Sequence, residues 1–288
     1  MTEHVRADAD AIVIRGEGGI RASEVVVGAA TDVGRPRTIN EDGYLAIAPA
    51  FVVVDGMGGH AAGRMATQVA LDSLYSLAGT IVTDVDTVVR AVVAAQEAIM
   101  AIPSHAAYLP GATIAGVILA WVADEQGVTR PTWVIFNIGD ARVYLLRDNM
   151  LSQVTRDHSR VQILIETGEL TPEQARRDPR RNIVTRALGG GIADSGVPDL
   201  YTVPVAAGDR FLICSDGLSD ELDDEAIATV LAAGCTAQRT AELLVAASLE
   251  GGGHDNTTAV VVDSLQVPTP PLGARAFHPG GASSQGAQ

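Results

Sequence analysis

Acidic residues stand at the ends of apolar, strand-like segments in five parts of the chain. The segment "FVVVDGMGGH" (51–60) shows the arrangement: apolar residues lead into an aspartate, and glycines fill three of the next four positions. If the strand ends converge on one rim, such carboxylates raise one another's pKa unless cations neutralise them. Each acid alone is also explained as a turn former or strand cap, so only the repetition favours a metal site. The acids are Glu41 and Asp42, Asp55, Asp140, Asp216 and Asp255.

The chemistry of these groups favours hard divalent cations. All the candidate donors are oxygen atoms, and no cysteine or histidine stands at a metal-binding spacing, which selects Mg²⁺ or Mn²⁺. Gly56 directly follows Asp55, and without a Cβ its backbone carbonyl can approach an ion closely. Arg37 precedes the Glu41–Asp42 pair, where its guanidinium could clamp a phosphate group.

The strands that carry these acids follow one another directly, which favours antiparallel hairpins. One hairpin is predicted from Asp42 to Asp55 through a turn at 48–50, and a second over 132–146 with Asp140 in its turn. Two sheets packed face to face with helices outside are the predicted α+β architecture. Strand-like segments cover 24–31, 43–48, 51–55, 112–123, 132–140, 142–146, 200–205, 210–216 and 257–265; helical patterns cover about 60–79, 84–102, 158–168, 223–233 and 236–250.

Composition disfavours several classes of protein. The 288 residues carry a formal net charge of -15, so a nucleic-acid partner is not expected. All 20 basic residues are arginine, and nine of them, from Arg142 to Arg186, form either a phosphate-binding cluster or a solvated face. Two cysteines are too few for a disulfide framework and favour a cytoplasmic location. The longest apolar run is too short to span a membrane.

One domain accounts for most of the sequence. Residues 1–23 are predicted to be an N-terminal arm or an extra edge strand, and residues 24–265 a single domain. Residues 266–288 are rich in Pro, Gly and Ser and are predicted to be disordered.

Seven ordered segments resemble the metal-dependent Ser/Thr protein phosphatases of the protein phosphatase 2C (PPM) family, in its compact bacterial form. An isolated Asp-Gly pair carries no information, but the ordered set is specific and covers about residues 24–265. The segments are "GRPRTINED" (34–42), "VVVDGMGGHAAG" (52–63), "GAT" (111–113), "NIGDARVYLLRDNMLSQVTRDHS" (137–159), "IVTRALGG" (183–190), "CSDGLSDEL" (214–222) and "GGHDNTTAVVV" (252–262).

The resemblance implies a four-layer α-β-β-α sandwich of two antiparallel sheets flanked by helix pairs. Two to three Mn²⁺ or Mg²⁺ ions would bind at one end, beside a variable flap at about 156–195. Asp55 would bridge two ions, and the Gly56 carbonyl would bind one of them. Asp216 and Asp255 would complete the ligands of the other ion.

The remaining site residues take their expected roles from the same resemblance. Glu41 and Asp42 would act through bound water, and Asp140 with Asp216 would form a third metal position. Arg37 would bind the phosphate of the substrate. With Arg37, the residues Asp55, Asp216 and Asp255 are therefore the expected catalytic set.

The chain departs from the family pattern at three positions. Met57 stands where many relatives have a histidine proposed as the general acid, so a metal-bound water or His60 remains as the proton donor. Ala112 and Ala141 replace a threonine and a serine of the family without removing a ligand. Outside these positions, His158 is expected to order the start of the flap.

The resemblance implies hydrolysis of phosphoserine and phosphothreonine in proteins by direct attack of a hydroxide that bridges the ions. The expected enzyme is a monomer that opposes a bacterial Ser/Thr kinase. Two alternatives stay open: a phosphatase of sigma-factor regulators, and a pseudophosphatase that binds phosphoproteins without turnover. The second would require a missing core ligand, and Asp55, Asp216 and Asp255 are all present.

Overall fold

The computed structural model describes residues 12–15, 24–59, 61–103, 109–124, 126–192 and 196–268. Most of the predicted arm and tail, and His60, lie outside the described residues. The strands are β1 (Ile12–Arg15), β2 (Val25–Asp32), β3 (Asp42–Ile47), β4 (Ala50–Met57), β5 (Gly111–Ala123), β6 (Thr129–Ile138), β7 (Arg142–Arg147), β8 (Met150–Gln153), β9 (Leu188–Gly189), β10 (Asp199–Pro204), β11 (Arg210–Cys214) and β12 (Thr257–Ser264). The helices are α1 (Ala61–Leu74), α2 (Val85–Met100), α3 (Arg160–Glu166), α4 (Pro172–Ala175), α5 (Asp216–Ser219), α6 (Asp224–Leu231) and α7 (Ala237–Gly251).

The strands form two sheets that pack face to face. The first sheet has the order β1-β3-β4-β5-β6-β10, with the short β9 paired to β5, and the second has the order β2-β12-β11-β7-β8. Neighbouring strands run antiparallel except for the edge pair β1–β3, which is parallel. Helices α1 and α2 cover the outer face of the first sheet, while α6 and α7 cover that of the second. The predicted four-layer α-β-β-α sandwich is confirmed.

Both faces of strand β4 pack against an apolar layer. Val52 and Val54 pack toward α1 and α2, whereas Phe51 and Val53 pack between the sheets. Both faces are therefore buried, which explains the uninterrupted apolar run before Asp55. Burial of each such side chain contributes about 1.5–3 kcal/mol, so this apolar run helps to hold β4 between the two layers.

Side-chain caps stabilise the N-termini of the outer helices α2 and α7. Asp84 caps α2 by accepting from the Thr87 N–H (2.8 Å), and Thr236 caps α7 by accepting from the Arg239 N–H (3.3 Å). Gly28 in β2 lets the α7 backbone lie directly on the second sheet, because a Cβ there would collide with the backbone of Gln238.

The predicted hairpin over 132–146 is wrong. Strand β6 belongs to the first sheet and β7 to the second, so the chain crosses between the sheets at residues 139–141. Trp133 of β6 and Val143 of β7 pack in the same layer between the sheets. The two strands are thus consecutive in sequence but not paired, since each completes a different sheet around one core.

The flap also contains more structure than the single predicted helix at 158–168. Helix α3 occupies part of that range, and the short α4 follows after a turn. Across the described ranges, no helix has the length and hydropathy needed to cross a membrane.

Candidate metal centre

Asp42 and Asp55 are direct partners in the register of the antiparallel strands β3 and β4. The hydroxyls of Ser215 and Thr258 both donate to Asp42 Oδ2 at 2.7 Å. Asp42 is fully buried, and its Oδ1 atom has no hydrogen-bond donor among the described residues. The second sheet therefore fixes Asp42, while one of its buried oxygens remains for a further partner.

Asp55 stands among the other acids, because Asp42 is its partner across the strands and the charges of Asp42 and Asp216 both act on it. Carboxylates placed this close repel one another unless protons or a cation neutralise them. Asp55 and Asp216 both keep partial access to solvent. A cation that enters from solvent could therefore reach these carboxylates and relieve their repulsion.

Burial and mutual repulsion raise the pKa of these acids. Burial raises the pKa of Asp55 well above its ordinary value, and the charges of Asp42 and Asp216 raise it further. Burial also raises the pKa of Asp42 to about 6, although the bonds from Thr258 and Ser215 oppose the shift. The centre is thus unfavourable for several unprotonated carboxylates without a positive charge among them.

The start of α1 lies directly against the acids because two glycines face each other. A Cβ on Gly56 would lie 2.5 Å from the Gly63 carbonyl oxygen, and a Cβ on Gly63 would collide with Glu41 Oε1. The Gly56 N–H (3.2 Å) and the Thr67 hydroxyl (2.6 Å) both donate to the Glu41 carbonyl. These contacts join Glu41, the Asp55–Gly56 end of β4 and the start of α1.

Arg37 stands at the outer edge of the centre. Its Nη2 atom is 2.7 Å from Asp255 Oδ2, and its Nη1 atom is 4.0 Å from Glu41 Oε2. The Arg37 side chain is 46% exposed, so its guanidinium can reach an anion from solvent while it faces the acids.

Asp140 occupies the crossing between the two sheets, close to Asp216 and Asp220. Burial raises the pKa of Asp140 to about 7, and the charge of Asp157 adds to the shift. After burial, the charges of Asp140 and Asp220 are the largest causes that raise the pKa of Asp216. Asp220, which the sequence reasoning did not single out, therefore extends the carboxylate cluster on the side of the flap.

Sequence reasoning also missed the residues that hold the acids in place. Besides Ser215 and Thr258, Asn256 accepts from the Glu41 N–H at 2.8 Å and donates to the carbonyls of Val33 (2.8 Å) and Ile39 (3.1 Å). Ser215 and Asn256 are next to proposed ligands and Thr258 is three positions after Asp255, but only the fold reveals their partners.

The donor set fits divalent cations of the hard class. Its donors are oxygen atoms, which divalent cations of this class prefer. Among the described residues, the buried Asp42 Oδ1 has no hydrogen-bond donor, and the raised pKa of Asp55 shows that a positive charge would stabilise the site. In the described part of the chain, no three carboxylate, histidine or cysteine side chains form a closed cage for one ion. Mg²⁺ usually keeps several waters and takes one or two carboxylates, so an open set of this kind suits it and the similar Mn²⁺.

A cavity of about 700 Å³ leads from the centre toward the flap. Asp140 and Asp216 are among the residues that line it, so a phosphate bound at the centre would lie next to the cavity. The flap contributes arginines and α6 contributes acids to its walls. These residues are Arg176, Arg177, Arg181, Asp223, Asp224 and Glu225.

Most of the clustered arginines form ion pairs with acids of this chain, so those acids already engage much of their charge. Among the described arginines that line the cavity, Arg176 and Arg177 are the two outside these pairs. The six pairs are Arg142–Asp157, Arg147–Asp209, Arg156–Glu166, Arg180–Asp178, Arg181–Asp220 and Arg186–Asp199.

The positions that depart from the family pattern have structural roles. The Met57 methyl group packs toward Gly111 and Gly190, and a thioether has no proton to donate. Ala112 and Ala141 are fully buried. Burial raises the pKa of Cys214 to about 12, so this thiol packs in the core and does not form a thiolate.

Comparison with known proteins gives close matches over the same part of the chain. Residues 39–251 match the model of the family Protein phosphatase 2C. The serine/threonine protein phosphatase PstP of Mycobacterium tuberculosis is 38% identical over 240 residues, which are 82% of this chain and 44% of PstP. The serine/threonine phosphatase stp of Listeria monocytogenes is 33% identical over 243 residues, covering 81% of this chain and 93% of stp.

A solved structure agrees with the fold. The crystal structure of the PstP catalytic domain in complex with two manganese ions aligns with a TM-score of 0.69 and 34% identity, over 83% of this chain and 98% of that chain. The sandwich and its carboxylate centre thus define a phosphatase-like metal protein. The chain belongs to the protein phosphatase 2C family. It spans less than half of the length of PstP.

Proposed function

We propose that this chain is a metal-dependent protein phosphatase that hydrolyses phosphoserine and phosphothreonine. The observation that carries the proposal is the position of Asp55, which is opposite Asp42 in the strand register, is acted on by the charge of Asp216 and keeps partial access to solvent. Three neighbouring carboxyl groups are costly in a folded protein, and a site for cations accounts for them. The solved PstP structure with two manganese ions supports the same assignment.

Mn²⁺ or Mg²⁺ would be held by the oxygens of Asp55, Asp216 and Asp255 and by the Gly56 carbonyl. Glu41 and Asp42 would contribute through water, and Asp140 with Asp216 would hold a third ion. When bound, such ions lower the pKa of a coordinated water and neutralise charge on a phosphoryl group.

The side chains of this protein supply the rest of the chemistry. Arg37 would bind the phosphoryl oxygens, since its exposed guanidinium points into the rim and can form two parallel hydrogen bonds. Ser215 and Thr258 would hold Asp42 in place as charge develops on the substrate. Met57 cannot donate the proton that the leaving hydroxyl needs, so that proton would come from water or from His60.

Phosphorylated proteins are the proposed substrates, and a Ser/Thr kinase is the proposed functional partner. The 700 Å³ cavity beside the centre can receive the residues that flank a phosphoserine or phosphothreonine. Its basic and acidic walls would select among peptides by charge. A phosphatase of sigma-factor regulators would use the same centre, so only substrate trials separate the two.

A cytoplasmic location and a monomeric state belong to the same proposal. Cys214 and Cys235 are free thiols, which supports a reducing location. Size-exclusion chromatography with light scattering would test the monomeric state.

The test is hydrolysis of p-nitrophenyl phosphate and of a phosphothreonine peptide by the purified chain. We expect turnover with Mn²⁺, loss of turnover with EDTA, and recovery when excess Mn²⁺ is added. Asp72→Ala, which alters an exposed acid of α1, is the control for surface charge. Absence of any metal-dependent turnover, together with measurable phosphopeptide binding, would favour the pseudophosphatase instead.

A further inference from the structure

His158 binds both backbone groups of Gly139, the residue that precedes Asp140. The Gly139 N–H donates to His158 Nδ1 at 3.1 Å, and the His158 N–H donates to the Gly139 carbonyl at 2.9 Å. His158 is only 3% exposed. This two-point contact closes a loop of 18 residues between the sheet crossing and the start of the flap.

The donors and acceptors around His158 fix its tautomer. Because Nδ1 accepts the Gly139 N–H, the ring proton of the neutral imidazole is on Nε2. Asp199 Oδ2 lies 3.1 Å from Nε2 and accepts that proton. Burial lowers the pKa of His158, which favours the neutral ring that this arrangement needs.

Three residues, His158, Arg186 and Asp199, form the flap root. Arg186 donates to Asp199 Oδ1 and to the Val197 carbonyl, both at 2.6 Å. The His158 carbonyl accepts from the Thr185 N–H at 2.7 Å. The two ends of the flap are therefore joined at His158, and Asp199 attaches them to strand β10.

The backbone conformation of Gly139 is restricted by its surroundings. Its φ of +104° favours glycine, and a Cβ would collide with the side chain of Thr113. Asn137 donates to the carbonyls of Gly139 (3.3 Å) and Arg156 (2.9 Å) and so adds a second link to the flap. A shift of the flap root would consequently be transmitted through Gly139 to the Asp140 carboxylate.

We propose that His158 is a positioning residue that sets the Asp140 carboxylate by holding Gly139 and couples it to the flap through Asp199. The metal-related part of this inference rests on the proposed function, because Asp140 is one of the proposed ligands. The bond between His158 Nδ1 and the Gly139 N–H does not depend on any activity.

Two conservative variants test the roles of the two ring nitrogens of His158 one at a time. In His158→Asn the side-chain oxygen can occupy the place of Nδ1, so the acceptor for Gly139 is retained while the link to Asp199 is lost. In His158→Gln the longer amide can reach the place of Nε2, so the link to Asp199 is retained while the acceptor is lost. Circular dichroism and the melting temperature would select variants that remain folded, and Asp199→Asn would weaken the outer link alone.

The first readout is amide hydrogen exchange at Gly139, measured by NMR in the absence of metal. We expect slow exchange in the wild type and in His158→Asn, and exchange at least tenfold faster in His158→Gln. The second readout is Mn²⁺ binding by isothermal titration calorimetry. For the weakest of the binding steps, His158→Gln should raise the Kd roughly tenfold, and His158→Asn should raise it less.

Equal Gly139 exchange in the two variants would overturn the proposal, as would faster exchange in His158→Gln with unchanged Mn²⁺ binding. If the wild-type chain hydrolyses no phosphoester, the proposed function fails. The exchange and calorimetry measurements would still give a positive or negative answer on His158.

Discussion

Asp42 and Asp55 face each other across neighbouring antiparallel strands, one fully buried and the other only partly accessible to solvent. The β3–β4 hairpin of the first sheet brings the two acids together, and Ser215 and Thr258 on the side of the second sheet hold Asp42. The packed sheets therefore fix a repulsive contact where a cation can relieve it.

Loss of a proposed ligand should remove activity without unfolding the protein. We expect Asp55→Ala and Asp255→Ala to lower kcat/KM for p-nitrophenyl phosphate by at least a thousandfold, because the ions would lose their ligands. The measurement is turnover at saturating Mn²⁺, with circular dichroism to verify the fold and Asp72→Ala as the matched control. Near-wild-type turnover by Asp255→Ala would remove this residue from the proposed centre.

The metal-free protein should gain stability when one repulsive carboxylate is neutralised. In Asp55→Asn the desolvated charge disappears, so the free energy of unfolding in EDTA at pH 7.5 should rise by about 1–3 kcal/mol. Urea denaturation would measure the change. The same variant should lose the stabilisation that Mn²⁺ gives to the wild type, and an unchanged response to Mn²⁺ would count against Asp55 as a ligand.

The stability of the metal-free protein should fall as pH rises. Folding raises the pKa of Asp42 to about 6 and that of Asp140 to about 7, so the folded chain binds more protons than the unfolded chain above about pH 4. The stability that these protons confer is lost as pH rises through 6 and 7, by on the order of 3 kcal/mol per fully buried group.

Thermal melts in EDTA from pH 4.5 to 8 would measure this dependence. Asp140→Asn should flatten the upper part of the curve. Mn²⁺ should raise the melting temperature more at pH 8 than at pH 5, because it competes with protons for the carboxylates. A melting temperature that rises with pH in EDTA would contradict the raised pKa values.

Arg37 should act on the phosphate and not on the fold. Arg37→Ala should lower kcat/KM by about 10- to 100-fold, since one charge-assisted contact with the phosphoryl group is lost. Arg37→Lys should recover only part of the loss because lysine cannot form the paired bonds of a guanidinium. Arg90→Ala, in an exposed pair with Asp84 on α2, is the control and should leave kcat/KM unchanged.

Gly63 should tolerate no side chain. A Cβ there would collide with Glu41 Oε1 and lie 2.8 Å from the Gly56 carbonyl carbon, so Gly63→Ala should displace the start of α1 from the acids. We expect a loss of about 1–3 kcal/mol in stability and weaker Mn²⁺ binding by calorimetry. Gly251→Ala, where the nearest atoms lie at 3.4 Å, should change neither quantity appreciably.

Sequence reasoning located the strands and helices well where their patterns were local. The Asp42–Asp55 hairpin was predicted from two apolar runs joined by a short turn, and the observed register pairs these two acids. The same reasoning failed at Asp140, because a short connection between strands does not reveal whether the chain turns back or crosses to another sheet. Asp220 was missed since nothing in its local sequence distinguishes it from a surface acid.

By itself, the sequence determined the family, the metal-binding chemistry and most of the elements. These features depend on residue types at fixed spacing, such as oxygen donors after apolar strands and glycines in tight turns. Only the tertiary structure decided that Ser215, Thr258 and Asn256 hold the acids, that six of the nine arginines from Arg142 to Arg186 are paired with acids, and that His158 binds Gly139. Those contacts join residues far apart in the chain, and their distances are set by the packing of the two sheets.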